Sequence, residues 1–270
     1  MKIAEYLNYL QKYFTNRSDV LEFASHTSGI PYSQIPMHLS DNILITDETK
    51  SKLDRVKSGE PLAYVINNKN FYGFDIYVDE SVLIPRPETE LLVEKALETA
   101  AGRKNLRILD ICTGSGCVLT ALLSKLENAE GVGLDISSDA LETALKNLKR
   151  YDLKAELLCA DALRIDELDL SNFDIITCNP PYLTEQEWSD SPNSLKYEPK
   201  NALSAGVDGL LFYKKLMDMI PNICNKNSGS AHFELGLGQY ELLKNEGYCE
   251  DYSVTKDFQG IKRVISWINL

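Results

Sequence analysis

The chain has no run of apolar residues approaching the roughly 18 needed to cross a bilayer as a helix, and its first residues, Met1-Lys2-Ile3-Ala4-Glu5-Tyr6, lack the basic and then apolar layout of a signal peptide. The cytoplasm is the expected location, with no membrane partner. There is no Cys-x-x-Cys pair: Cys112, Cys117, Cys159, Cys178, Cys224 and Cys249 are scattered, with no histidine at ligand spacing. Small buried thiols are therefore expected rather than disulfides or a zinc site, and no metal. His26 and His38 are isolated and read as surface or capping residues. Positive charge is also short, with 28 Lys and Arg against 40 Asp and Glu and a formal net charge of -12. A protein that grips phosphate backbones has the opposite balance, so nucleic acid is a disfavoured partner, although a local basic patch can survive within an acidic total. Two nucleotide fingerprints are missing as well: neither Gly-x-Gly-x-x-Gly nor the Gly-Lys-Ser/Thr of a Walker loop occurs after a strand.

What is present is ordinary globular material, 270 residues with 44% hydrophobic and 25% charged, enough for one large domain or two unequal ones. Ile3, Leu7, Leu10 and Phe14 recur at helical spacing, Val20, Leu21 and Ala24 form a second apolar stripe before Gly29, and a third helix is predicted from about Asp47 to Lys57 with Gly59 as its stop. Residues 1–60 read as a small helical domain for docking a partner. From Ala63 to Val78, two β-rich runs flank the Asn-rich stretch Asn67-Asn68-Lys69-Asn70, which predicts a hairpin linker over 61–80.

Over 81–270 the pattern becomes that of an α/β fold with a mostly parallel sheet. Leu83-Ile84-Pro85-Arg86-Pro87-Glu88-Thr89-Glu90 leads into a helix, and proline followed by acids suits a helix start while leaving Arg86 unexplained. Strands are predicted at Leu106–Ile111, Gly131–Asp135, Glu156–Cys159, Phe173–Cys178 and Ser230–Leu235, separated by helical stretches. The last two, Tyr252–Thr255 and Lys262–Ile268, are only a few residues apart and must be antiparallel, because a parallel crossover needs about a dozen residues or more. This makes seven strands with one reversed near the edge. The connection from Leu183 to Gly209, with Trp188, Tyr197 and Glu198, is long and reads as a substrate-gripping lid.

The Gly-rich turn Asp110-Ile111-Cys112-Thr113-Gly114-Ser115-Gly116 follows the first of these strands directly. Its glycines permit close backbone approach, yet Asp110 places a carboxylate where a pyrophosphate would be repelled. Asp135 closes the next strand, about 20 residues on, where an acid can accept from ribose hydroxyls, and Asp161 follows the third, placed to accept from an adenine amino group with Ala162 leaving room for the ring. Each acid alone could merely cap a helix. In this order they suit a ligand with an adenosine and a positive centre, S-adenosylmethionine.

Asn179-Pro180-Pro181-Tyr182 closes the strand that begins at Phe173. Asn179 offers a neutral carbonyl acceptor, the Pro180 carbonyl can point outward in a chain held extended by Pro181, and the Tyr182 ring offers a face for stacking. A primary amide or an exocyclic amine, with two N–H donors, would fit. Taken alone the tetrapeptide reads equally as a turn after a strand.

With Gly59-Glu60-Pro61-Leu62-Ala63-Tyr64, Phe71-Tyr72-Gly73, Tyr197-Glu198-Pro199 and Ala202-Leu203, these motifs make the chain resemble the HemK/PrmC family of protein glutamine N5-methyltransferases that act on peptide-chain release factors. The resemblance implies a helical N-terminal domain, a hairpin linker and a class I methyltransferase domain. It implies that Cys112, Thr113, Gly114, Ser115, Gly116, Asp135, Asp161, Ala162 and Asn179 line the cofactor pocket, and that Asn179, Pro180, Pro181 and Tyr182 hold the substrate glutamine, with Asn179, Pro180 and Tyr182 as the catalytic set. The family's release factors are the expected partners of a monomeric enzyme. Asn67-Asn68 and Ser204-Ala205-Gly206 depart from the usual family pattern, in hairpin and lid. The alternatives are an adenine N6-methyltransferase acting on DNA or RNA, whose flipped base would offer an exocyclic amine to the same motif, and a binding protein that keeps the fold without the chemistry.

Overall fold

The computed structural model describes residues 1–269, in two units, Met1–Asn68 and the chain from Lys69 onward. The first unit holds α1 (Ile3–Leu10), α2 (Arg17–Ser28), α3 (Asp47–Lys57) and α4 (Leu62–Ile66). Asn16 starts α2 by accepting from the Asp19 amide at 2.8 Å, and Thr46 starts α3 by accepting from the Thr49 amide at 3.1 Å, so two of the otherwise orphaned N–H groups of those helices are satisfied. Ile3, Tyr6, Leu10, Phe23, Ile35 and Leu53 form the centre of this unit's core.

The hairpin differs from the sequence expectation. Ala63–Ile66 lies within helix α4, and Asn67, at φ 50°, is its left-handed C-cap rather than a hairpin turn. Asparagine tolerates that conformation, so an Asn pair after an apolar run marks a helix end as readily as a turn. The strands are β1 (Lys69–Phe71) and β2 (Phe74–Ile76), and the turn between them is Tyr72-Gly73, both at positive φ. The hairpin is narrower than 61–80 and belongs to the second unit, where the Asp75 amide donates to the Tyr151 hydroxyl at 2.7 Å and the Tyr77 amide to Asn147 Oδ1 at 2.7 Å.

The second unit continues with α5 (Glu90–Thr99), β3 (Arg107–Ile111), α6 (Cys117–Lys125), β4 (Glu130–Asp135), α7 (Ser138–Arg150), β5 (Ala155–Cys159), β6 (Ile175–Cys178), α8 (Glu185–Asp190), α9 (Leu211–Ile223), β7 (Ser230–Glu234), α10 (Gln239–Asn245), β8 (Tyr252–Lys256) and β9 (Lys262–Ile268). The seven-stranded sheet has the order β5-β4-β3-β6-β7-β9-β8. The first five pair in parallel and β9 runs against both its neighbours, so the reversed strand sits one in from the edge. The four residues of β6 are all buried, which is why Ile-Ile-Thr-Cys shows no polar alternation. Leu109, Ile111, Leu134, Ile176, Ala231 and Phe233 pack with Tyr213, Leu216 and Ile220 of α9 in one apolar cluster.

From β3 the chain steps outward through β4 to β5, then returns to lay β6 on the other side of β3. At such a reversal the loops leaving adjacent strands diverge and open a crevice beyond their carboxyl ends. The two strands that flank it here end in the Gly-rich turn and in Asn179.

Candidate active site

The turn after β3 is built from left-handed residues. Cys112, Gly114 and Gly116 have φ of 59°, 52° and 71°. Gly116 is needed twice over, because a Cβ there would also meet the Ala144 Cβ at 3.0 Å where the turn abuts α7. The Thr113 amide donates to the Leu134 carbonyl at 3.0 Å, and the Gly114 amide to Asp135 Oδ2 at 2.8 Å. Asp135 thus ties the turn to the end of β4, and its other oxygen accepts from the Ser137 amide at 3.0 Å. Burial raises the Asp135 carboxyl above the ordinary range while the backbone donors oppose it.

Asp110 is more secluded, at 2% exposure. The Thr113 and Thr177 hydroxyls donate to its two oxygens at 2.6 and 2.7 Å. Burial nevertheless pushes its carboxyl up to about 6. Asp161 caps the helical turn that follows it, accepting from the Leu163 amide at 2.9 Å, so the capping role open to it in the sequence is real.

Asp110, Asp135 and Asp161 line one open cavity of about 920 Å³, its mouth included, together with Cys112, Thr113, Gly114, Ser115, Ala162 and Asn179. Gly116 lies behind the wall as the N-cap of α6. Part of the wall was not singled out as site-forming by the sequence: Ser81, Val82 and Leu83, and the apolar Leu134, Ile136 and Phe212.

Asn179 also lines a second open cavity, of about 480 Å³ with its mouth included, with Pro180, Tyr182, Arg86, Leu195 and Leu203. It stands at the junction of the two. Its Nδ2 donates to Thr89 Oγ1 at 3.2 Å, while its Oδ1 is buried with no partner among the described residues. No hydrogen bond among the described residues engages the Pro180 carbonyl either. An orphaned amide oxygen in a crevice is a costly arrangement unless a donor arrives.

Tyr182 is gripped from several sides. Its amide donates to the Leu203 carbonyl at 3.0 Å, and its carbonyl accepts from Gln239 Nε2 at 3.0 Å. Its ring lies against Gly236, where an added Cβ would come within 2.8 Å of Cδ2. Burial pushes its hydroxyl up to about 12, so it stays protonated. Arg86, which helix capping left unexplained, donates to Glu198 Oε1 at 2.6 Å, and Oε2 of the same carboxylate accepts from the Ile84 amide at 3.0 Å. The 183–209 segment is thereby fastened across the second cavity.

The residues at 108–195 match the model of a methyltransferase domain. Along nearly its whole length the chain is 35% identical to the release factor glutamine methyltransferase of Thermodesulfovibrio yellowstonii, covering 98% of this chain and 95% of that one. The chain belongs to the release factor glutamine methyltransferase family. The corresponding protein of Flavobacterium psychrophilum is 36% identical over 83% of this chain and 81% of its own. A methyltransferase from Pyrococcus furiosus superposes with a TM-score of 0.52 at 18% identity, covering 82% of this chain and 98% of that one, a likeness of fold alone. The sheet order and its single reversed strand are those expected of a class I methyltransferase.

Within this family member the remaining predicted features fall as follows. The cysteines are free; Cys117, Cys178, Cys224 and Cys249 are buried, whereas Cys112 is half-buried and Cys159 exposed. No helix among the described residues is long and apolar enough to cross a membrane. His232 is a core residue beside Ser230 and Ser266 hydroxyls, and burial lowers its pKa to about 3, which leaves it neutral. Sequence reasoning passed over Thr89 as a site residue, although it lines the donor cavity and accepts from Asn179. The available signal was position, since Thr89 lies in the Pro-Arg-Pro-Glu-Thr-Glu stretch that leads into α5.

Proposed function

We propose that this chain transfers a methyl group from S-adenosylmethionine to the side-chain amide nitrogen of the glutamine in the Gly-Gly-Gln motif of peptide-chain release factors. The observation that carries the reading is the unpartnered Oδ1 of Asn179 at the junction of the two cavities. A glutamine amide is a planar group with two N–H donors, and Asn179 Oδ1 with the Pro180 carbonyl would accept both.

The donor cavity fits the cofactor by its chemistry. Asp110 and Asp135 hold carboxyls that burial has made reluctant to ionise, so a cation among them is favoured. Ile136, 58% exposed at the cavity edge, and Ala162 give a planar ring apolar surface, and Asp161 Oδ2 is available to an amino group. The bound cofactor supplies an electrophilic methyl on a sulfonium sulfur.

An amide nitrogen is a poor nucleophile because its lone pair is delocalised into the carbonyl. Asn179 and Pro180 hold its N–H groups and aim the lone pair into the donor cavity, and Tyr182 presents its ring to the amide plane. Orientation of this kind can supply several kcal/mol of barrier reduction, up to about 7–11 in ideal intramolecular cases. Electrostatic placement does the rest, with the amide proton lost late.

The test is radiolabelled methyl transfer to a purified release factor, with the Gln of its Gly-Gly-Gln motif replaced as control. Label should enter the wild-type factor only, and not DNA or RNA; transfer to nucleic acid instead would favour the adenine N6 alternative, which the net charge of -12 already disfavours. Asn179→Ala and Asn179→Asp should each lower kcat by about 100-fold or more with cofactor still bound. Near-full activity in both would remove Asn179 from the mechanism.

A further inference from the structure

Thr143 and Asn147 of α7 and its C-cap Tyr151 recur at a spacing of four, so these three polar side chains share one face of the helix. The chain leaving β2 runs along that face. The Tyr151 hydroxyl accepts from the Asp75 amide at 2.7 Å and donates to the Asp75 carbonyl at 3.0 Å. Asn147 accepts from the Tyr77 amide at 2.7 Å and donates to the Tyr77 carbonyl at 2.9 Å, and the Thr143 and Ser81 hydroxyls lie 3.2 Å apart. A helix advances about 6.0 Å in four residues and an extended chain about 6.6 Å in two, so the rungs at Asp75 and Tyr77 stay in step with Tyr151 and Asn147. Ile76 and Val78, which alternate with the rungs, are fully buried.

The middle rung has a further contact. Asn147 is 0% exposed, and its Nδ2 also donates to the Ser115 carbonyl at 2.8 Å. Both amide protons thus end on carbonyls and Oδ1 meets an N–H, so the side chain has one orientation; turned over, it would set oxygen against oxygen. Ser115 belongs to the Gly-rich turn, while Ser81, Val82 and Leu83 continue the strap that starts at Tyr77. All four line the donor cavity, and Asn147 itself does not.

We propose that Asn147 is a positioning residue for the cofactor: it ties the 77–83 strap to the Gly-rich turn, so that the donor cavity has its wall before the ligand arrives. This rests on the reading of that cavity as the S-adenosylmethionine site and adds the device that shapes it. A wall already in place spares the ligand the cost of ordering it. Without the middle rung, binding has to fix the strap as well, and the loss falls on cofactor affinity. The acceptor side keeps its own supports, since Asn179 is held by Thr89 and Tyr182 by Leu203 and Gln239.

The experiment measures S-adenosylmethionine affinity of the full chain by calorimetry, alongside thermal melting and methyl transfer to the release factor at saturating cofactor. Asn147→Ser, too short to reach both partners, should raise the cofactor Kd about tenfold or more, while kcat and the KM for the release factor stay within about threefold. Tyr151→Phe controls for a merely structural role, because it loses two hydrogen bonds to Asp75, which does not line the cavity. It should lower the melting temperature and leave the cofactor Kd within about twofold. An Asn147→Ser Kd within about twofold of wild type, or a Tyr151→Phe Kd raised as far as that of Asn147→Ser, overturns the proposal. Should Asn147→Ser fail to fold, Thr143→Val decides: a Kd raised more than about twofold supports the ladder, and a smaller change overturns it. Failure of the wild-type chain to bind S-adenosylmethionine would instead remove the reading of the cavity, and this inference with it.

Discussion

Asp110→Asn tests whether the donor cavity is built for a cation. The carboxyl is 2% exposed, its hydrogen bonds come from the Thr113 and Thr177 hydroxyls, and no ion pair among the described residues includes it. Burial raises it from 3.8 to about 6 against the pull of the two hydroxyls, and Asp135 adds to the rise. At about 1.4 kcal/mol for each pH unit, the charged form is disfavoured in the folded protein by on the order of 3 kcal/mol. Because the folded value lies above the unfolded one, the folded state holds a proton between 3.8 and about 6 that the unfolded state has released. Stability therefore declines as pH climbs through that window, and at pH 8 the whole contribution is gone. Asparagine suffers no such loss, though it matches the two hydroxyls less well by about 1 kcal/mol. In urea at pH 8 the cofactor-free variant should be the more stable by about 2 kcal/mol, and the advantage should vanish near pH 4. Cofactor affinity should move the other way. A cationic ligand favours ionised Asp110, so wild-type binding should weaken by up to about tenfold per pH unit below about 6, while the variant binds weakly and without that slope. Calorimetry across this range decides. A flat wild-type affinity from about pH 5 to 8, or a variant less stable than wild type at pH 8, would refute the reasoning.

Gly236→Ala would place a Cβ within 2.8 Å of the Tyr182 ring, so kcat should fall about tenfold or more while cofactor binding persists; an unchanged kcat would show that the ring's placement is immaterial. Gln239→Leu removes the acceptor of the Gly236 amide and the donor to the Tyr182 and Gly209 carbonyls. At about 1–3 kcal/mol for each buried group left unpaired, it should cost about 3 kcal/mol or more in chemical denaturation, and a loss under about 1 kcal/mol would count against this lock.

Much of this was legible in the sequence because it is local. The turn Asp110 to Gly116 and the tetrapeptide Asn179 to Tyr182 each follow a strand directly, and the structure brings both to the first cavity, where Asn179 leads on into the second. The α3 boundaries, Asp47–Lys57, are those that helical spacing and the Gly59 stop predict. The turn of the hairpin was misplaced because asparagine serves left-handed helix caps as well as turns, and here Asn67 ends α4. Thr89 escaped for a different reason. It is 90 positions from Asn179 in sequence, and the hydrogen bond between them arises only in the folded chain. Arg86 and Glu198, 112 residues apart, met for the same reason, and only the long connection between β6 and α9 hinted that something must anchor it.

The placement of acids in the sheet argues for the direction of the chemistry. Asp174, just before β6 at its amino end, is compensated: Arg103 donates to it at 2.7 Å, the Arg107 amide at 2.9 Å and Asn225 at 3.1 Å. At the opposite end, Asp110, Asp135 and Glu234 are all raised by burial, and none is in an ion pair among the described residues. A fold that needed those carboxylates only for its own stability would have paired them, since an unpaired buried acid destabilises the native state above its pKa. Compensation at one end of the sheet and its absence at the other mean that the counter-charge for Asp110 and Asp135 comes from what binds there.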